Sequence, residues 1–250
     1  MTPDVSRRFA GIGRVYGNSA LARFSSAHVC VVGIGGVGSW AAEALARSAI
    51  GQITLIDPDT IAESNTNRQI HALGDNYGKA KTAVMAERLC AINPACRVNV
   101  IEKRVTPETL APLLGGGFDF VIDAIDQVHV KAAMIAWCRQ HRQALITSGG
   151  AGGLIDPAHI RIDDLARTFQ DPLLAKVRAL LRKDYDFPRD PNQKFVIPAV
   201  FSSEPLRPAE NEANSPLSGN PSFGASPCVT APFGLFAAGE VLRQIGLASG

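Results

Sequence analysis

The run Gly33-Ile34-Gly35-Gly36-Val37-Gly38 has the composition of a phosphate-binding turn. Glycine adopts backbone angles that side chains forbid, and it lets a pyrophosphate come close to main-chain N–H groups. A helix opening directly after such a turn adds the partial positive charge of its N-terminus. Asp57 closes the next apolar segment, where a carboxylate can accept hydrogen bonds from the two hydroxyls of a ribose. NAD and ATP both satisfy this pattern. The turn alone therefore cannot separate the two, and a hydride-transferring oxidoreductase is its default reading.

The elements that must hold these residues follow from periodicity. Ala27–Gly33, Gln52–Asp57, Arg97–Ile101, Phe118–Asp123 and Ala144–Ser148 are short, β-branched-rich runs and predict strands. Between them Ser39–Ile50, Lys79–Ile92, Pro107–Leu114 and Val128–His141 predict helices, with Gly51 as C-cap of the first and Asn93-Pro94 stopping the second. Strand and helix in alternation give an α/β fold with a Rossmann-like, doubly wound, mostly parallel sheet. From Gly149 the texture changes, and residues 150–250 read as a substrate-facing C-terminal extension of one domain spanning 1–250. Within it we expect a glycine turn at 149–153, a strand at 160–162 and a helix to Arg182 capped by Asp171-Pro172. A strand at 194–201 and a mobile loop at about 202–226 complete it.

Composition narrows the class. A formal net charge of +2 is too balanced to declare a nucleic-acid binder, and it leaves room for one with clustered basic residues. Cys30, Cys90, Cys96, Cys138 and Cys228 form no CxxC pair, which predicts reduced thiols in a cytoplasmic protein and argues against a four-cysteine zinc site. The start of the chain lacks the apolar core of a signal peptide. The apolar run 228–247 is broken by Pro232, Glu240, Arg243 and Gln244. It predicts a buried amphipathic helix and no stable membrane insertion.

Further elements follow in order: Asp57-Pro58-Asp59, Asn65-Thr66-Asn67-Arg68-Gln69, Gly78-Lys79-Ala80-Lys81 and Asp123-Ala124-Ile125-Asp126. With the glycine turn, this set resembles the ubiquitin-activating-enzyme-like superfamily, the ThiF/MoeB/HesA adenylating enzymes. The resemblance implies an ATP site made of Gly33, Gly35, Gly36, Gly38, Asp57, Asp59, Asn65, Arg68, Gln69 and Lys81. It also implies that Arg68 and Lys81 act on the phosphates, that Asn65 helps to position them, and that Asp126 holds Mg²⁺. Attack of a carboxylate on an α-phosphorus expels pyrophosphate, so charge on both groups must be neutralised. An NAD enzyme has no need of this set.

Longer stretches, among them NTNRQIHAL, VIDAID, SGGAGGLIDP, DLARTFQDPLLAKVR and VTAPFG, resemble the tRNA threonylcarbamoyladenosine dehydratase branch of that superfamily. This implies that ATP activates the threonyl carboxylate of the modified adenosine beside the anticodon as an acyl-AMP. Ring closure by an atom of the same side chain follows, with net loss of water. A tethered nucleophile reaches a high effective molarity without a protein thioester. Lys176, Arg178, Arg182 and Lys183 are the candidate tRNA contacts, and Cys228 is the best candidate for any catalytic thiol. The resemblance also implies a homodimer, with Arg8 and Arg14 as candidates to reach a partner's site, and raises sulfur-relay proteins as partners. The rival readings are an activator of a sulfur-carrier protein's C-terminus, an NAD-dependent oxidoreductase, and a non-catalytic nucleotide-binding adaptor.

Overall fold

A computed structural model describes residues 5–190, 192–206 and 223–247. Seven strands form one sheet in the order β3-β2-β1-β4-β5-β7-β6. They are β1 (His28–Val32), β2 (Gln52–Ile56), β3 (Arg97–Ile101), β4 (Phe120–Asp123), β5 (Leu145–Ser148), β6 (Ile160–Asp164) and β7 (Pro198–Ser202). All neighbours are parallel except β6, which pairs antiparallel with β7 at the edge. This is the doubly wound, mostly parallel sheet that the alternation of elements predicts.

Strand β1 shows why both faces must be covered. Val29 and Val31 point into one apolar cluster with Leu45, Ile53, Phe120 and Phe233. Cys30 and Val32 point into the other with Met134, Leu145, Leu174 and Phe201. Period-two alternation sends each set to its own layer of helices. The first layer includes α2 (Asn18–Ser26), α3 (Gly38–Arg47), α4 (Lys81–Ile92) and α8 (Pro227–Leu247). The second includes α5 (Leu110–Leu114), α6 (Val128–Gln140) and α7 (Pro172–Asp184).

Helix α8 carries the apolar face expected of the 228–247 run: Val229, Phe233, Ala237, Val241 and Leu242 are buried at helical spacing. Gly234 lies where a β-carbon would come within 2.3 Å of the Val37 carbonyl oxygen, so α8 crosses α3 almost backbone to backbone. No helix among the described residues is long and apolar enough to cross a membrane.

Several boundaries differ from the sequence reading. Helix α3 ends at Arg47, and Ala49 takes the left-handed conformation (φ 66°) expected of the glycine cap. Gly51 instead packs where a β-carbon would fall 1.9 Å from the Ser25 carbonyl oxygen. Helix α4 starts at Lys81, two residues late, because Lys79 and Ala80 are held by the loop that returns from Asp59. Residues 107–109 form a 3₁₀ turn before α5, and the strand expected at 194–201 forms only over Pro198–Ser202. Helix α1 (Val5–Tyr16) and α2 were not anticipated. Of the loop expected at 202–226, residues 207–222 lie outside the described residues.

Candidate active site

Strand register places the site. Val32 is level with Ile56 on one side and with Asp123 on the other, so the chain leaves β1, β2 and β4 at one edge of the sheet. Strand order reverses direction at β1 and β4, which opens a crevice at their carboxyl ends. The crevice there has a volume of about 690 Å³. Gly33, Gly35, Gly36, Asp57, Asp59, Asn65, Arg68, Gln69, Lys81 and Asp126 all line it. Arg68, Lys81 and Asp126 therefore converge on one space with the glycine turn.

The turn is closed by two glycines. Gly33 has φ 87°, and a β-carbon there would sit 2.9 Å from the Ala124 carbonyl oxygen. A β-carbon on Gly38 would fall 1.7 Å from the Gly33 carbonyl oxygen. Gly38 does not line the crevice; it lets α3 start tightly against the turn. Asp57 is buried and fixes the turn from beside it. Its Oδ2 accepts the Ile34 N–H at 2.6 Å and its Oδ1 the Asp59 N–H at 2.8 Å. An ionised carboxylate has about four lone-pair sites, so ribose-binding capacity remains.

Asn65 shapes the cationic wall. Its Oδ1 accepts the Ala62 N–H, and its carbonyl accepts the N–H groups of Arg68 and Gln69. Trp40 on α3 donates its indole N–H to the Arg68 carbonyl at 3.0 Å. Arg68 itself donates to the Ser64 carbonyl and to Asn67 Oδ1. Lys81 is 7% exposed, and its Nζ lies 3.1 Å from Asp59 Oδ2. Gln69 is buried in the crevice wall, and its Oε1 has no partner among the described residues. Next to Lys81 and Arg88, His71 has its pKa pushed down to about 4, first by burial and then by those two cations.

Asp123 and Asp126 separate in role. Asp123 is fully buried and bonded to Lys131 of α6 at 2.8 Å. Asp126 is exposed to the crevice, and its carboxylate accepts no hydrogen bond among the described residues.

Other lining residues escaped the sequence reading. Lys103 and Arg104 follow β3 and left no signal in the sequence beyond two exposed charges. Gly149–Gly152 and Asp171 also line the wall. Both were visible, but only as a turn and a helix cap. Asp171 does cap α7, accepting the Leu174 N–H at 2.9 Å, and it also holds the Gly150 N–H at 3.0 Å. Burial pushes its carboxyl up from the usual aspartate range. Glu204, just after β7, accepts the N–H groups of Ile155 and Asp156 and so fixes the chain beyond this turn.

The basic residues of α7 are differently engaged. Arg178 donates to Thr168 Oγ1, and Arg182 donates to the Pro188 carbonyl and lies 5.2 Å from the centre of the Phe195 ring. Lys176 and Lys183 are exposed. Arg8 donates to the carbonyls of Ala91 and Ile92 at the end of α4. Burial raises the thiols of Cys96 and Cys138 to about 12, and Cys30 is pushed up further. Cys90 and Cys228 are exposed, but neither lines the crevice, whereas Thr230 does.

Fold and crevice together define a nucleotide-binding α/β enzyme of the Rossmann type. The ThiF family's sequence profile matches residues 6–245, and the chain belongs to that family. It is 51% identical over 246 residues to the tRNA threonylcarbamoyladenosine dehydratase of Haemophilus influenzae, covering 97% of this chain and 94% of the relative. The solved structure of the Escherichia coli tRNA N6-threonylcarbamoyladenosine dehydratase in complex with ATP is 50% identical. It superposes with a TM-score of 0.89 over 98% of this chain and 96% of that one. The same enzyme in complex with AMP gives a TM-score of 0.90 at 50% identity, over 98% of this chain and 97% of that one.

Proposed function

We propose that this protein is an ATP-dependent tRNA threonylcarbamoyladenosine dehydratase. A carboxylate oxygen of the modified adenosine attacks the α-phosphorus of ATP, and the bond to the β-phosphate oxygen breaks to release pyrophosphate. A nucleophilic atom of the same side chain then attacks the acyl carbon and loses its proton. AMP departs with the former carboxylate oxygen. The observation that carries this reading is the convergence of Arg68, Lys81 and Asp126 on the crevice beneath the glycine turn. The chain's likeness along its whole length to dehydratases supports it.

The chain's own residues divide the work. Main-chain N–H groups of Gly35 and Gly36 and the start of α3 receive the phosphates. Lys81, steered by Asp59, and Arg68, released from Ser64 and Asn67, offset the charge that grows on the α-phosphate and on pyrophosphate. Asp57 and Gln69 orient the nucleotide. The crevice would fit one Mg²⁺ held by Asp126, since that carboxylate accepts no hydrogen bond among the described residues and magnesium is bound by one or two carboxylates plus phosphate oxygens. When bound, the ion supplies charge neutralisation across the phosphates.

Lys176, Arg178, Arg182 and Lys183 are assigned to the tRNA backbone, with the exposed Lys176 and Lys183 as the stronger contacts. Exposed Leu235 and Phe236 on α8 support a homodimer. A tRNA substrate supports a cytoplasmic location, and sulfur-relay proteins are candidate partners. Incubation with ATP, Mg²⁺ and tRNA carrying threonylcarbamoyladenosine, followed by mass spectrometry of the nucleoside, tests the reading. The expected result is loss of one water; an unchanged mass with enzyme that binds ATP overturns it.

A further inference from the structure

Lys131 is one of the largest fully buried side chains of the molecule, at 0% exposure, and it does not line the crevice. Its ammonium lies 2.8 Å from Asp123 Oδ2 and 3.1 Å from Thr147 Oγ1, and the threonine hydroxyl donates to the same carboxylate oxygen at 2.7 Å. A buried ion pair of this kind is weak as a stabilising device, because desolvation offsets the attraction and an apolar pair of similar volume often serves as well. Its position suggests another purpose. Asp123 is the last residue of β4, and its other oxygen accepts the Ile125 N–H at 3.3 Å, inside the loop that presents Asp126. Thr147 belongs to β5, which leads directly into the Gly149–Gly153 turn. That turn is also held by Asp171, which accepts the Gly150 N–H at 3.0 Å.

Accordingly we infer that Lys131 is a positioning residue, the shared counter-charge that holds the Asp123–Asp126 loop and the Gly149–Gly153 turn in register across the crevice. It touches no substrate. It acts through Asp123 on the direction of Asp126, and through Thr147 on the turn that follows β5. This inference rests on the adenylation reading for the role of Asp126.

The test compares full-length Lys131→Arg, Lys131→Met and the double variant Lys131→Met/Asp123→Asn, the last of which leaves no unpaired buried charge. Thermal melting, calorimetric titration with ATP at graded Mg²⁺, and the kcat and KM of AMP formation on modified tRNA are measured for each. The expected result for the double variant is a melting temperature within a few degrees of wild type, at least a tenfold loss in kcat, and a higher Mg²⁺ requirement for ATP binding. Its KM for tRNA should stay near wild type. Lys131→Arg should recover part of kcat and of the Mg²⁺ requirement. A double variant with wild-type kcat and wild-type Mg²⁺ dependence overturns the inference, whatever Lys131→Met does to folding. Should wild-type enzyme bind ATP but leave modified tRNA unchanged, the dehydratase reading fails alone, and the ATP titrations still decide the role of Lys131.

Discussion

Lys81 reaches the crevice wall as a nearly buried lysine whose ammonium is 3.1 Å from Asp59 Oδ2, while that aspartate is itself about half exposed. Two main-chain links reinforce the contact: the Lys81 N–H donates to the Asp59 carbonyl, and the Asp59 N–H donates to Asp57. Aspartate, lysine and the turn-fixing Asp57 thus form one unit. Lys81→Met should lower kcat for AMP formation by about 10²–10³-fold, the usual effect of removing a positioned charge from a developing anion. Asp59→Asn should cost less, because the ammonium remains and only its aim is loosened. Single-turnover AMP release measures both. Equal losses in the two variants would contradict this ordering.

Asp126→Ala should abolish AMP release and leave the fold intact, since the carboxylate makes no hydrogen bond within the described chain. Circular dichroism and thermal melting should match wild type. Full turnover in this variant would remove the metal assignment.

The two glycines most unlike each other should fail in different ways. Among the described residues a β-carbon at Gly35 would have only Gln69 Nε2 near it, at 3.9 Å, so Gly35→Ala should fold normally and bind ATP weakly. At Gly38 the same methyl would overlap the Gly33 carbonyl, so Gly38→Ala should lose stability as well as binding. Melting temperature and ATP titration on the two proteins separate the cases.

His71 gives a pH dependence of stability. Its folded pKa of about 4 lies below the ordinary value of 6.5, so the unfolded chain binds the extra proton more readily. Stability should then fall as pH drops from about 6.5 to about 4 and level off below, by on the order of 3 kcal/mol for a shift of that size. His71→Leu should flatten this part of the profile. Denaturant unfolding at pH 7, 6, 5 and 4 measures it, and an unchanged slope in the variant would show that other groups set it.

Cys228→Ser should keep wild-type dehydration, because that thiol lies outside the crevice wall. Accumulation of a thioester on the wild-type enzyme during turnover would contradict a relay-free reaction.

The mostly parallel sheet and the gathering of the candidate residues were legible in part, because Gly33, Asp57 and Asp126 follow β1, β2 and β4, and parallel strands all end on one side. That Val32, Ile56 and Asp123 are level is a matter of register, which only the structure gives. Lys103 and Arg104 were not legible, since an exposed basic pair after a strand carries no pattern until the fold brings it to the crevice. Lys131 was hidden for the opposite reason. A lysine within Val128–Gln140 reads as a solvated helix residue, and only the tertiary structure shows it buried against Asp123. The helix cap expected at Gly51 failed because Ala49 accepts the strained left-handed angle, leaving the glycine free for the tight approach to Ser25.

The crossing of α8 over α3 at Gly234 has a consequence for how the protein is made. A ribosome delivers the glycine loop well before the helix that braces it, with nearly two hundred residues between Gly38 and Gly234. Until α8 emerges, the segment that starts the phosphate-binding helix has no backbone laid against Val37 and Ala41. The nascent chain should therefore gain its grip on ATP only once α8 has been made, and a product cut short before residue 227 should carry the motif without the activity.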